Sequence, residues 1–221
     1  MGKNAVIICN GEFPVKEYPR YIIRNADVTV CCDGAFDKYM KAGESIFGKE
    51  KLPDVVIGDL DSISSVKREK YSRIIVHDAD QETNDQTKAF RYVMENFPEV
   101  TGIHIIGATG LRTDHTIGNV SLLMEYARDY SLDSRGISVD IISDRETIIP
   151  VTDTIELQCG EGRSISVFSP DSTLKIHSEG LVWPLDNVVF DNWWKATLNR
   201  AANDTIRLVF SHRSIALVML D

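Results

Sequence analysis

Between Pro53 and Ser62 the chain reads Pro-Asp-Val-Val-Ile-Gly-Asp-Leu-Asp-Ser, an apolar run, a glycine and then two aspartates at i and i+2. On an extended segment, alternate side chains share one side. Two carboxylates crowded there repel each other unless a cation lies between them. A small number of hard oxygen ligands suits Mg²⁺, which keeps several waters and bridges substrate phosphates. Asp59 and Asp61 are therefore candidate metal ligands, although aspartates at a turn also serve as simple caps.

Three further segments carry groups of the same kind. Cys32-Asp33-Gly34-Ala35 puts an acid and a glycine directly after an apolar run, where backbone without a Cβ can approach a ligand closely. Asp80-Gln81-Glu82-Thr83-Asn84-Asp85 opens a helical pattern, and its acids complement a helix dipole or wall a polar site. Gly107-Ala108-Thr109-Gly110-Leu111-Arg112-Thr113-Asp114-His115 offers glycine-rich backbone amides to a phosphate, with Arg112 as a fork-shaped donor. It is neither a P-loop nor G-x-G-x-x-G. His115, a lone histidine at a helix start, reads as structural.

These segments need elements to hold them. Strands are expected at Ala5–Cys9, Val28–Cys32, Val55–Ile57, Arg73–Val76, Ile103–Ile106 and Ile137–Ile142. Helices are expected around Pro19–Asn25, Ala35–Ala42, Ser64–Tyr71, Asp85–Asn96 and His115–Arg128. Alternating β and α elements with continuously apolar strands predict an α/β N-terminal domain, residues 1–143, with a mostly parallel, Rossmann-like sheet. Each polar segment then follows a strand, where ligands bind in an open α/β sheet. From about Ser143 the texture changes to short β-branched runs, among them Thr154–Gln158, Ser164–Phe168, Thr173–Ile176 and Ile206–Phe210, separated by turn residues. Residues 144–221 are expected to form an all-β sandwich.

Composition bounds the partners. Of 221 residues, 43% are hydrophobic and 26% charged, as in a folded globular chain, and the net charge is −9. That balance argues against a nucleic-acid partner. No apolar run reaches the roughly 20 residues that cross a bilayer, so no membrane partner is expected. Cys9, Cys31, Cys32 and Cys159 form no C-x-x-C pair and three lie in apolar runs, which predicts reduced thiols and a cytoplasmic setting.

The phrases Gly58-Asp59-Leu60-Asp61-Ser62, Asp80-Gln81-x-x-Asn84-Asp85-x-x-Lys88-Ala89 and Gly107-Ala108-x-Gly110-x-Arg112-x-Asp114-His115 resemble the three signature blocks of the thiamine pyrophosphokinase family, in the same order. Asp33-Gly34-Ala35 is similar to an earlier Asp-Gly-Gly-Ala block with one glycine missing. Gly180-Leu181-Val182-Trp183-Pro184-Leu185 resembles the family's Gly-Leu-Lys-Trp-x-Leu segment, so the likeness spans most of the chain.

The resemblance implies a Mg²⁺-dependent transferase that moves a pyrophosphoryl group from ATP to thiamine, giving thiamine pyrophosphate and AMP. It implies a homodimer with a catalytic, nucleotide-binding α/β domain and a thiamine-binding β domain. By the same resemblance Asp33, Asp59, Asp61 and Asp85 would bind the metal or help activate the thiamine hydroxyl, and Arg112 would serve the phosphates. Gln81 and Asp114 would position nucleotide or thiamine, and Trp183 and Asn199 would belong to the thiamine pocket. The chain departs from the pattern at Asn84, where a threonine is usual, and at Leu198, where a serine hydroxyl is usual, with Thr197 adjacent. Asp191-Asn192-Trp193-Trp194 is also unusual; its tryptophans suggest an interface or a ligand wall if exposed and core if buried. The alternatives are a metal-dependent nucleotide phosphohydrolase, a non-catalytic thiamine or nucleotide sensor, and a fold relative that takes a pterin.

Overall fold

The computed structural model describes residues 2–221. Along the chain run β1 (Lys3–Ile8), α1 (Glu17–Arg24), β2 (Val28–Cys32), a 3₁₀ turn over Asp33–Ala35, α2 (Phe36–Phe47), β3 (Val55–Gly58), α3 (Ser65–Lys70) and β4 (Ile75–His77). Then come α4 (Asp85–Asn96), β5 (Val100–Ile106), α5 (Thr113–Asp129), α6 (Leu132–Arg135) and β6 (Ser138–Ile142). The remaining strands are β7 (Thr147–Val151), β8 (Ile155–Gln158), β9 (Ser164–Phe168), β10 (Ile176–Glu179), β11 (Asn199–Arg200), β12 (Thr205–Phe210) and β13 (Ala216–Leu220).

The chain divides into two compact units, Met1–Leu122 with Gly136–Asp144, and Leu123–Arg135 with Arg145–Asp221. The second unit thus takes the C-terminal end of α5 and all of α6 as well as its strands. In the first unit six strands pair in parallel in the order β6-β5-β1-β2-β3-β4. From β1 the chain steps outward through β2, β3 and β4, then returns to place β5 on the other side of β1. The order therefore reverses between β1 and β5, and the crevice beyond their carboxyl ends is where an open α/β sheet takes its ligand.

β2 is buried at every residue, as a strand covered by helices on both faces must be. Helix α4 covers β1, β2 and β3 with Ala89, Phe90 and Val93, all fully buried. A fully buried phenylalanine contributes roughly 1.5–3 kcal/mol. Asn84 starts this helix: its side-chain oxygen accepts from the Thr87 N–H at 3.0 Å, one of the donors a helix start leaves unpaired.

In the second unit β11-β9-β13-β7 pair antiparallel, and β10-β12-β8 form a three-stranded antiparallel sheet. Ile165, Val167, Val218 and Val151 from the first set share one core with Ile176, Ile206, Leu208 and Phe210 from the second. That is a sandwich with alternate residues turned inward. The expected strand at Thr173–Ile176 is displaced. The Asp171 carboxylate accepts from the N–H (2.8 Å) and hydroxyl (2.6 Å) of Thr173, folding that stretch into a turn, and β10 begins only at Ile176. β11, two residues long, gives no periodic signal in the sequence.

Candidate active site

The carboxyl ends of β2 and β3 bring their acids together. One oxygen from each of Asp33, Asp59 and Asp61 lies within 4.8 Å of the others. Asp85, at the start of α4, stands in the same group: a Cβ built on Gly58 would fall 2.7 Å from the Asp33 Cβ and 3.2 Å from Asp85 Oδ1. The glycine is there because both acids approach its backbone. Gln81 stands close enough to Asp59 to favour its charged form.

The pairing of Asp59 with Asp61 does not come from an extended segment. Leu60 between them has φ 67, the left-handed region that a leucine occupies only at a cost of roughly 1–2 kcal/mol. The chain turns there, and the Asp61 N–H donates to Asp59 Oδ1 at 3.3 Å. Two anchors hold the turn. The Leu60 side chain is buried, and the Arg68 guanidinium donates to the Ile63 carbonyl at 2.8 Å and also to the Leu60 carbonyl.

The four carboxylates differ in environment. Asp33 is 1% exposed; its Oδ2 accepts from the Ser62 N–H at 3.1 Å, while Oδ1 has no partner. Burial raises its pKa above the usual carboxylate value, and the charges of Asp85, Asp61 and Asp59 raise it further. Burial raises Asp85 too, against the lowering influence of Lys88. Asp59 is lowered, first by the Asp61 N–H. The Lys88 ammonium, 3% exposed and 3.4 Å from Asp85 Oδ1, sets one buried positive charge beside the four acids. An orphaned buried oxygen within an acidic cluster that carries one balancing cation fits a hard divalent ion.

Beside this cluster a cleft of about 340 Å³ opens at the β1/β5 switch. Its walls come from the ends of β1 and β2 (Cys9, Asn10, Gly11, Cys32), the start of α4 (Asn84, Asp85, Gln86), and the β5–α5 segment with the first turns of α5, including Ala108, Arg112 and His115. Asn119 ties the start of α4 to the β5–α5 segment. Its Oδ1 accepts from Asn84 Nδ2 (3.0 Å), its carbonyl accepts from Gln86 Nε2 (3.0 Å), and its Nδ2 donates to the Ala108 carbonyl (2.8 Å). The β1 loop packs backbone to backbone on the β5 loop: a Cβ at Gly11 would fall 2.3 Å from the Gly107 carbonyl oxygen. Lys38 donates to the carbonyls of Asn10 (2.6 Å) and Gly11 (2.7 Å).

Arg112 lines this cleft and is exposed, its guanidinium paired with Asp114 through Nε–Oδ1 at 3.1 Å. That pairing holds Asp114 down at about 2. In the second unit Trp183 is 58% exposed and lines a smaller hollow of about 180 Å³ with Leu185, Lys195 and Leu198. Asn199, buried, also borders it, but its amide is engaged. Its Oδ1 accepts from the Trp183 N–H (3.2 Å) and its Nδ2 donates to the Trp183 carbonyl (2.7 Å). Thr197, beside the Leu198 departure, spends its hydroxyl on the Trp194 carbonyl at 2.8 Å.

Two family models match the chain: the catalytic domain of thiamin pyrophosphokinase over residues 19–132 and the substrate-binding domain of the same enzyme over residues 147–215. The chain belongs to the thiamin pyrophosphokinase family. "Thiamine pyrophosphokinase 1" of Oryza sativa subsp. japonica is 27% identical over 92% of this chain and 82% of the relative. "Thiamine pyrophosphokinase 3" of the same plant is 29% identical over 83% and 73%. The crystal structure of thiamine pyrophosphokinase from Bacillus subtilis has the same fold, with a TM-score of 0.76 at 19% identity over 99% of each chain. The yeast thiamin pyrophosphokinase structure has a TM-score of 0.75 at 18% identity, covering 100% of this chain and 87% of that one.

For this family member the structure brings Asp33, Asp59, Asp61, Asp85 and Gln81 into one group with Arg112 in the adjoining cleft. It pairs Asp114 with Arg112 and places Trp183 and Asn199 at the hollow of the second unit. Sequence reasoning passed over Asn10, Gly11, Lys38 and Asn119, and treated His115 as structural although it lines the cleft. Lys88 stood within a signature block without being assigned a role. An Asn-Gly pair after the first strand was the available signal for the β1 side.

Proposed function

We propose that the chain catalyses pyrophosphoryl transfer from ATP to thiamine, with Mg²⁺ held by Asp33, Asp59, Asp61 and Asp85. The observation that carries the reading is the acidic group, with its unpartnered Asp33 oxygen, beside the cleft at the β1/β5 switch point. The bound metal would offset charge on the transferring phosphates. ATP lies in the cleft, where the loop amides after β5 and the Arg112 fork meet its phosphate oxygens. The thiamine hydroxyl oxygen forms a bond to the β-phosphorus as the bond to the α-phosphate oxygen breaks, AMP leaves, and a carboxylate of the group takes the hydroxyl proton late. Lys88 holds Asp85 in place.

Thiamine, a cation, takes the hollow beside the exposed Trp183, whose ring face attracts positive charge. Asn199 fixes the Trp183 backbone, and Gln81 orients Asp59. Asp114 aims Arg112. The chain works as a homodimer, a reading supported by the exposed Trp193, Trp194 and Leu198, apolar surface of the kind that marks protein interfaces. A reduced, cytoplasmic setting accords with four free cysteines, and no helix among the described residues is long and apolar enough to cross a membrane.

The test is a product assay with ATP, Mg²⁺ and thiamine, each omitted in turn. Equal amounts of thiamine pyrophosphate and AMP, formed only in the complete mixture, are expected. AMP or ADP formed without thiamine would instead indicate a phosphohydrolase.

A further inference from the structure

The floor of the cleft carries a pair of thiols that the phosphate chemistry does not use. Cys9 follows β1 and Cys32 ends β2. These strands pair in parallel with Ile8 opposite Cys31, so Cys9 and Cys32 stand side by side. Their sulfurs are 3.9 Å apart, and both line the cleft although each is almost fully buried. Gln86, itself 2% exposed, points its Oε1 at Cys9 Sγ from 3.7 Å. That orientation is fixed, because Gln86 Nε2 donates to the Asn119 carbonyl at 3.0 Å. The backbone of Cys9 is held as well, since its N–H donates to the Ile106 carbonyl at 2.7 Å.

We propose that Cys9 Sγ and Cys32 Sγ, with Gln86 Oε1, form a binding site for a thiophilic divalent ion of the zinc and cadmium class. The spacing is that of a tetrahedral edge. With metal–sulfur bonds of about 2.3 Å, two sulfurs on one tetrahedral ion lie about 3.8 Å apart, and a sulfur and an oxygen about 3.6 Å apart. The Cys9–Cys32 separation of 3.9 Å and the Cys9–Gln86 separation of 3.7 Å both match these edges. A disulfide, at about 2.05 Å, would require the sulfurs to close roughly half their separation across two paired strands. The fourth position faces the cleft and is left for water. Each thiol gives its proton to solvent as the ion binds. Soft and hard ions are thereby separated within one small region, sulfur on the cleft floor and carboxylate beside it.

Zinc is the probe. The full-length protein is given one equivalent of zinc with excess magnesium to fill the carboxylates, and the zinc X-ray absorption edge is recorded. Two sulfur neighbours at about 2.3 Å are expected. Cys9→Ser and Cys32→Ser should each remove one sulfur and weaken zinc binding by at least about tenfold, the range lost even with an outer partner of a metal ligand. Cys31→Ser, on the opposite face of β2, and Cys159→Ser, in the other unit, should leave both readouts unchanged. A shell of oxygen and nitrogen alone in the unmodified protein overturns the site, as does zinc affinity insensitive to both substitutions. If a serine variant fails to fold, the spectrum of the unmodified protein still decides.

Discussion

Gly58 and Asp33 sit so close that a Cβ on the glycine would fall 2.7 Å from the Cβ of the aspartate, nearer than such atoms come in real proteins. The backbone of β3 thus serves as the wall against which Asp33 and Asp85 are seated. Gly58→Ala should displace both carboxylates. Overpacking of this kind costs about 1–3 kcal/mol, and a displacement near 1 Å costs catalysis on the order of 10²-fold. Turnover in the thiamine assay together with a thermal melt checks this. An alanine variant with full activity would mean that the acids are not held by that contact.

Asp33 and Asp85 have pKa values raised by burial. Each therefore binds its proton more tightly in the folded than in the unfolded chain, and its contribution to stability falls as pH rises from the ordinary carboxylate value through the raised one. Without metal, Asp33→Asn should raise the melting temperature by about 2–4 °C, the equivalent of ~1 kcal/mol in a chain of this size, whereas Asp85→Asn, which takes the partner from the buried Lys88 ammonium, should lower it; turnover is lost in both. Magnesium should stabilise the unmodified protein and not these variants. Melting curves with and without magnesium, across pH, read both effects.

Asp59→Asn and Asp61→Asn should abolish turnover with the fold intact, because each removes one charge from the group proposed to hold the metal. Circular dichroism and the product assay together check it. Full activity in both variants would mean that the acidic group does not hold the metal.

Arg112 and Asp114 are exposed, and their pairing holds Asp114 near 2, so it stays charged throughout the working pH range. Arg112→Ala should leave the melting temperature unchanged, as surface pairs generally do. It should raise the KM for ATP by on the order of tenfold through loss of a charged donor. Asp114→Asn should change KM less than Arg112→Ala does, with no new titration appearing in the pH–rate profile. Steady-state kinetics in ATP, across pH, measures both.

Asn84→Ala should cost about 1 kcal/mol through loss of the bond to the Thr87 N–H, whereas Asn84→Thr should cost only a few tenths. Chemical denaturation distinguishes these values.

Much of the architecture was legible in the sequence because parallel strands buried on both faces leave continuous apolar runs. Val28–Cys32, Asp85–Asn96 and Ser164–Phe168 have the same bounds in sequence and structure. The change of period near Ser143 marked the antiparallel part. The turn at Leu60 was not legible, because left-handed backbone is normally announced by glycine or asparagine, and here a leucine is held there by burial and by Arg68. Nor was the β1 wall of the cleft. Asn10 and Gly11 gain their place from the reversal of strand order between β1 and β5, which is a property of pairing and not of any local segment. The engagement of Asn199 with Trp183 depends on residues 16 apart, beyond what a periodic pattern encodes.

That engagement has a consequence for how the second unit can change. Asn199 grips residue 183 only by its main-chain N–H and C=O, atoms that every residue except proline supplies. The loop therefore keeps its course whichever side chain stands at 183, so the hollow can exchange its tryptophan for another group, and with it the shape of guest it admits, without the loop being rebuilt.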